Sequence, residues 1–256
     1  MEVNKKIALG MYSLSSEIEG AWQQLFNQTA DFFPEIEFPK RIVNTIEESV
    51  ILAKNTCLSH ICGYSLLNKY AEHLLPLSAP HFEIQGVTGA QYYSYFVVQK
   101  NSKIASILSA KGESIAVNSL CSNSGLNVFR QELKLASDSN LEEFFGRVMI
   151  SGSHHESIKS ILKGESTLAA IDAATFCYLC TTNPLYRDEL KIIGQSSKSA
   201  APPIVTHKDN PFCESGELTE ALNRALFCLD EATRDTLKIK RFCAVTMNDY
   251  TPMLAS

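Results

Sequence analysis

Hydrophobic residues in the N-terminal part of the chain follow first a strand-like and then a helix-like spacing. A short apolar stretch over 6–11 predicts a strand. Apolar residues then recur at i, i+4, i+7 and i+8, on one face of a predicted helix: Ile18, Trp22, Leu25 and Phe26. The pattern further predicts a helix over 45–54, a short strand over 58–64 and another helix over 65–74.

From residue 92 onwards, strands and helices alternate regularly. Aromatic and β-branched residues over 92–99 (YYSYFVVQ) predict the clearest strand of the chain. Further strands are predicted over 114–118, 147–150, 167–172 and 190–194. Helices are predicted between them, and Gly164 is expected to end one of these. This βαβα order favours an α/β fold with a mostly parallel sheet covered by helices.

Composition and charge narrow the classes of function. The 256 residues are 45% hydrophobic, 20% charged and 9% aromatic, which is typical of a globular chain forming one large domain or two smaller lobes. The 23 Lys and Arg against 28 Asp and Glu give a formal net charge of −5. A non-specific nucleic-acid binder needs a basic surface, so nucleic acid is not expected as a partner.

The N-terminus and the cysteines bear on the cellular compartment. The first ten residues hold only a short apolar stretch, whereas a secretory signal needs about 7–15 apolar residues. No stretch approaches the roughly 20 apolar residues of a membrane span, so no membrane insertion is expected. The eight cysteines lack a disulfide framework. As written, the sequence is expected to stay in the cytosol; an upstream signal missing from it would direct the protein to the periplasm.

Polar side chains follow three predicted strands at the point where each strand ends. They are Ser122, Asn123 and Ser124 after the first strand, His154 after the second and Asp172 at the end of the third. Ligands of open parallel sheets bind outside the carboxyl ends of the strands. The sequence therefore predicts one ligand site at this edge.

The chemistry of these residues suits a small anion. A serine-rich turn that opens a helix offers amide and hydroxyl donors at the positive end of the helix dipole, and His154 can donate to an oxyanion. A carboxylate at Asp172 would favour a ligand that carries a proton or an amine over an unprotonated dianion such as sulfate. Helix capping by Ser122 or Asp172 and a solvent-facing His154 are the alternatives that remain open.

Other candidate chemistry is weaker. No P-loop, GxSxG, HExxH or GxGxxG motif occurs, so no catalytic residue, metal or cofactor is predicted. Cys177 and Cys180 form a CxxC within a predicted helix and are expected to be buried core thiols. His60, Cys62 and His154 could form a nucleophilic set, although their spacing does not require it.

The order of short motifs resembles the substrate-binding proteins of ABC importers for phosphate, phosphite and phosphonate. The motifs are Gly10-Met11-Tyr12, Cys62-Gly63-Tyr64, Tyr92-Tyr93-Ser94, Ser122-Asn123-Ser124-Gly125-Leu126-Asn127, Gly152-Ser153-His154 and Ala169-Ala170-Ile171-Asp172. The resemblance covers roughly residues 6–206. It implies the two-lobed type II periplasmic-binding-protein fold, with residues 1–96 plus 194–256 in one lobe and 97–193 in the other.

The resemblance also implies roles for individual residues. In that family the serine-rich turn binds the phosphonate or phosphate oxygens, which assigns Ser122, Asn123 and Ser124. The Gly-Ser-His motif and the carboxylate after the next strand assign His154 and Asp172 to the same site. The Tyr-x-Ser motif and two first-lobe loops add three tyrosines as ligand contacts: Tyr12, Tyr64 and Tyr92.

The sequence thus favours a solute-binding protein that captures phosphate, a phosphonate or an organophosphate by closure of two lobes. The implied partners are this small anion and, if the protein is exported, an ABC permease. Two alternatives stay open. A cytosolic enzyme or sensor could be built on the same fold, with Asp172 orienting a base, or the chain could be a relative that has lost its ligand.

Overall fold

The computed structural model of the chain describes residues 5–137 and 139–254, which divide into two compact units. Unit 1 comprises the described residues up to Gln91 together with Ala200–Thr251. Unit 2 comprises the described residues of Tyr92–Ser199 together with those from Pro252 to Leu254. The chain therefore passes between the units three times. The lobe boundaries predicted at 96/97 and 193/194 lie inside two strands of unit 2.

Strands and helices alternate along most of the described chain. The strands are β1 (Lys6–Leu9), β2 (Arg41–Val43), β3 (Thr56–His60), β4 (Leu74–Phe82), β5 (Gln91–Tyr92), β6 (Ser94–Gln99), β7 (Ser114–Val117), β8 (Arg147–Ile150), β9 (Leu168–Asp172), β10 (Leu190–Gln195), β11 (Ser199–Ala200), β12 (Ile204–His207) and β13 (Ile239–Ala244). The α-helices are α1 (Ser16–Ala30), α2 (Glu48–Ile51), α3 (Gly63–Ser65), α4 (Val128–Ser137), α5 (Leu141–Phe144), α6 (His154–Leu162), α7 (Ala173–Thr182), α8 (Leu185–Glu189), α9 (Ser215–Cys228) and α10 (Glu231–Leu237). Two π-helical turns cover Leu66–Tyr70 and Asn123–Asn127, and 3₁₀ turns cover Leu108–Ala110, Met247–Asp249 and Thr251–Leu254.

Unit 1 is built on a six-stranded sheet in the order β13-β4-β12-β3-β1-β2. Strands β1, β2 and β3 pair in parallel, whereas β12 and β13 pair antiparallel with their neighbours. The predicted apolar face of α1 is confirmed, because Trp22, Leu25 and Phe26 are all buried. Ser15 caps this helix by accepting a hydrogen bond from the Ile18 amide at 3.3 Å.

Strand β4 begins at Leu74, the last residue of the helix predicted over 65–74. The sequence pattern predicts no strand for the rest of β4, over 75–82. Its sequence, LLPLSAPHF, contains two prolines, which normally count against an inner strand because proline donates no ladder hydrogen bond. The register of β12 shifts opposite Pro76, between Ile204 and Val205. Pro76 thus lies at a register irregularity, and the pairing of β4 with β13 does not extend to it.

Unit 2 is built on a five-stranded sheet in the order β10-β6-β9-β7-β8. β9, β7 and β8 pair in parallel, as the βαβ pattern predicts. β6 lies between β10 and β9 and runs antiparallel to both. In this sheet β10, β9, β7 and β8 therefore run in one direction and β6 in the opposite direction, so the sheet is mixed. Packing of Phe96, Phe129 and Phe145, with ring centroids 5.2–5.4 Å apart, forms part of its core.

Gly10, which follows β1, lies against the backbone of unit 1. A Cβ at this position would be 2.5 Å from the Thr45 carbonyl oxygen, so the backbone would have to move. We expect Gly10→Ala to lower the free energy of unfolding by roughly 1–3 kcal/mol or more in urea denaturation. Gly20→Ala is the control, because Gly20 is exposed within α1 with open space around it. That change should be neutral or stabilising by up to about 1 kcal/mol. Equal effects of both changes would contradict this interpretation.

Candidate ligand-binding site

The carboxyl ends of β7, β8 and β9 lie at one edge of the unit 2 sheet, because the three strands are adjacent and parallel. A helical segment begins just beyond each strand: the π-helical turn after β7, α6 after β8 and α7 after β9. The first amides of a helix have no partner within the helix, and they carry the positive end of its dipole. Three such ends therefore face the same edge.

The serine-rich turn after β7 holds two buried hydroxyl groups. The Gly125 amide donates to Ser122 Oγ at 3.0 Å, so Ser122 caps the helical turn. Ser122 Oγ also lies 3.4 Å from Ser124 Oγ. The capping role that the sequence left open is thus present, and it places the two hydroxyls side by side.

His154 is the first residue of α6, and it contacts the serine-rich turn. Its Nε2 lies 2.8 Å from Ser124 Oγ, within hydrogen-bond distance. Burial lowers the pKa of His154 to about 4, although the Ala170 carbonyl acts in the opposite direction. The imidazole is therefore neutral at pH 7. The side chain of His154 is half-buried, and its contact with Ser124 fixes its orientation.

Asp172, the last residue of β9, is buried at the same edge. Its Oδ1 accepts a hydrogen bond from the Thr175 amide at 2.7 Å, so it caps α7. In the sheet it lies opposite Ser94 of β6. The capping alternative that the sequence left open is therefore present here too.

Tyr92 and Asn123 are joined inside unit 2. Asn123 Nδ2 donates to Tyr92 Oη at 2.8 Å, and Asn123 Oδ1 accepts from Asn127 Nδ2 at 2.9 Å. The side chain of Asn123 thus has partners at both ends. Asn127 was not among the predicted site residues; its spacing of four from Asn123 on a predicted helix was the signal available.

Tyr12 and Tyr64 belong to unit 1, and their role as ligand contacts stays a prediction. Tyr12 is buried with φ at +59°, and its ring lies 4.7 Å from Phe82 and 5.6 Å from His60. Tyr64 is half-buried in α3. The other predicted residues, Tyr92, Ser122, Asn123, Ser124, His154 and Asp172, all belong to unit 2.

The nucleophilic set gains no support from the geometry of His60. This imidazole is buried in unit 1, its Nε2 bonds the Pro202 carbonyl at 3.0 Å, and its ring lies 5.5 Å from that of Trp22. The eight cysteines are all free thiols. Cys180 is buried as predicted, but Cys177 is exposed, because the side of α7 that carries it lies at the surface.

Comparison with known families decides the class of protein. The profile of a family described as "ABC transporter, phosphonate, periplasmic substrate-binding protein" matches residues 64–250. The chain belongs to this family. The predicted resemblance is therefore confirmed, and so is the predicted function as a phosphonate-type substrate-binding protein. No curated protein matches the chain in sequence.

Solved structures show the same fold. PhnD1 of Prochlorococcus marinus, in complex with methylphosphonate, has a TM-score of 0.76 at 16% identity, covering 98% of this chain and 96% of its own. The binding-protein component of an ABC phosphonate transporter of Pseudomonas aeruginosa has a TM-score of 0.74 at 15% identity, covering 98% and 84%. A Xanthomonas citri protein bound to ATP has a TM-score of 0.69 at 13% identity, covering 98% and 96%. The predicted type II periplasmic-binding-protein fold is thus confirmed.

The family description also bears on location. It names periplasmic proteins, which gives no support to the cytosolic location expected from the sequence. Within residues 5–137 and 139–254, no helix combines the length and apolarity needed to span a membrane.

Lowering the pH from about 7.5 to about 5 should destabilise the protein through His154. Its pKa near 4 lies below the ordinary histidine value of 6.5, so only the unfolded chain takes up this proton in that range. The stability that His154 contributes is present above pH 6.5 and is lost towards pH 4, by up to about 2 kcal/mol at pH 5. Burial also lowers the pKa of His60 to about 4, so His60 adds a similar loss in wild type and in the His154 variant. Urea denaturation should show a smaller loss for His154→Gln. The control is His73→Gln, because His73 is exposed. If wild type and His154→Gln lose the same free energy of unfolding between these two pH values, the loss is not due to His154.

Proposed function

We propose that the edge of unit 2 formed by the ends of β7, β8 and β9 binds the phosphonate or phosphate group of the ligand. The observation that carries this proposal is the 2.8 Å contact between Ser124 Oγ and His154 Nε2, which joins two helix N-termini at one point. In this proposal the hydroxyls of Ser122 and Ser124 and the amides of Asn123 and Ser124 donate to the ligand oxygens.

The proposed binding uses dipoles in place of basic side chains. Each helix N-terminus carries roughly half a positive charge and contributes on the order of 0.3–1 kcal/mol to a nearby anion, more where it is partly buried. Neutral His154 has one ring N–H to donate, and the Tyr92 hydroxyl can add another donor. Such an arrangement lets a chain of net charge −5 hold an anion at short range.

Asp172 is proposed to select the protonation state of the ligand. A buried carboxylate would repel an unprotonated dianion but can accept a hydrogen bond from a P–OH group or an ammonium group. Methylphosphonate and phosphate can carry such a proton near neutral pH, whereas sulfate cannot. Tyr12 and Tyr64 are retained as candidate contacts from unit 1.

The proposed physiological role is capture of this anion in the periplasm and its delivery to an ABC permease, without chemical change of the ligand. The family description, which names periplasmic substrate-binding proteins of phosphonate transporters, supports the location and the partner. The methylphosphonate complex of the Prochlorococcus protein supports the ligand class.

Ser124→Ala and His154→Ala should each weaken binding of methylphosphonate roughly tenfold or more, because each removes a hydrogen-bond donor to a charged group. Isothermal titration calorimetry measures the affinity, and thermal unfolding confirms the fold. The matched control is His155→Ala, since His155 lies in the same helical turn but contacts Tyr186 Oη at 2.7 Å. Unchanged affinity in both site variants would refute this site.

Phosphorus NMR of the protein mixed with methylphosphonate should show no product. Turnover of methylphosphonate would favour the enzymatic alternative.

Asp172→Asn should weaken the binding of phosphate and bring the affinities of the protein for phosphate and sulfate closer together. The variant removes the carboxylate charge but keeps an oxygen that can cap α7. Competition titrations at about pH 6 measure the two affinities in wild type and variant. A wild-type protein that binds sulfate better than phosphate would show that the carboxylate does not select the ligand.

A further inference from the structure

The C-terminal segment of the chain contacts the helical turn that carries the proposed site. The last crossing brings Pro252, Met253 and Leu254 into unit 2. Met253 is buried, and its carbonyl accepts a hydrogen bond from Asn127 Nδ2 at 3.0 Å. This contact joins residues 126 positions apart in the sequence.

A chain of buried hydrogen bonds leads from this contact to Tyr92. Asn127 Nδ2 also donates to Asn123 Oδ1 at 2.9 Å, and Asn123 Nδ2 donates to Tyr92 Oη at 2.8 Å. Asn123 and Asn127 are fully buried, and Tyr92 is nearly so. We use the term C-terminal relay for Tyr92, Asn123 and Asn127 together with the Met253 carbonyl.

The direction of the relay is fixed by its acceptors. Both partners of Asn127 Nδ2 are oxygens, so the amide cannot be reversed without losing both bonds. Asn123 then accepts with its oxygen and donates with its nitrogen. Tyr92 Oη accepts at this point, so its own proton is directed to a different acceptor. The relay therefore sets the hydroxyl of Tyr92 as a donor.

Packing alone does not account for Asn127. Its Oδ1 is buried without a hydrogen-bond partner among the described residues, which is unfavourable. An apolar side chain of similar size would avoid that cost. What asparagine supplies here is the pair of N–H groups that connects Met253 with Asn123.

We propose that the C-terminal segment, through Asn127 and Asn123, positions the Tyr92 hydroxyl to donate a hydrogen bond to the bound anion. Asn127 and Met253 are positioning residues that act on the ligand through Tyr92. This inference rests on the proposed function, because it assigns Tyr92 to the same ligand.

A double-mutant cycle on methylphosphonate affinity tests the relay. Tyr92→Phe and Asn127→Leu should each weaken binding by roughly tenfold, as expected for a hydrogen bond to a charged group. Because both act through one hydroxyl, the double variant should bind as weakly as Tyr92→Phe alone. Multiplying losses would show that Asn127 acts only on the structure and would overturn the proposal. If Asn127→Leu does not fold, Asn127→Asp takes its place, since it removes both N–H groups at nearly constant shape.

A second pair of variants tests the C-terminal segment itself. Met253→Ala loosens the buried anchor, whereas Leu254→Ala changes its exposed neighbour. Met253→Ala should weaken binding several-fold in wild type but not in the Tyr92→Phe background, and Leu254→Ala should have no effect in either. Equal affinities for Met253→Ala and wild type would overturn the role of the segment. Ser124→Ala separates this inference from the proposed function. If Ser124→Ala weakens binding and the relay variants do not, only this inference fails. If neither Ser124→Ala nor the relay variants weaken binding, the proposed function fails.

Discussion

The structure of the candidate site depends on one constraint: three adjacent parallel strands end at the same edge of a sheet, and a helical segment begins after each. β9, β7 and β8 meet this condition in unit 2. Helix N-termini present unpaired amides and a positive dipole end, so their convergence creates a positive potential without a basic residue. The capping side chains then have two effects. Ser122 and Asp172 satisfy part of each helix start, and they also decide what the edge offers to a ligand.

Polar groups buried behind this edge make the arrangement specific. A π-helical turn is closed by hydrogen bonds between residues five apart, here from the Asn127 amide to the Ser122 carbonyl, and such turns are frequent at functional sites. Here the turn brings Asn123 and Asn127 into hydrogen-bond contact and buries both. Buried amides are favourable only when they are paired, so the orientation of each is determined by the next. The position of Tyr92 thereby depends on residues far from it in sequence.

Sequence reasoning succeeded where the determinants are local. Serine and aspartate after a strand indicate both a strand end and a helix start, so Ser122, His154 and Asp172 could be placed at one edge before the structure was known. It failed where long-range pairing decides. β4 contains Pro76 and yet lies inside a sheet, where it pairs with β12, more than a hundred residues away, through an irregular register. The contact of Asn127 with Met253 has no local signal of any kind, since it links the turn to the other end of the chain.

The charge of His154 follows from its burial. Desolvation lowers the pKa of His154, so its imidazole adds no permanent positive charge to this edge of the sheet. An arriving anion favours protonation of the imidazole, whereas the buried carboxylate disfavours a second negative charge on the ligand. For a dianion, attraction by the imidazole is opposed by repulsion from the carboxylate. A monoprotonated ligand avoids this conflict, because it can donate a hydrogen bond to the carboxylate and accept one from the imidazole. In the proposed site, a neutral histidine and a buried aspartate would together favour a singly protonated phosphonate or phosphate over sulfate.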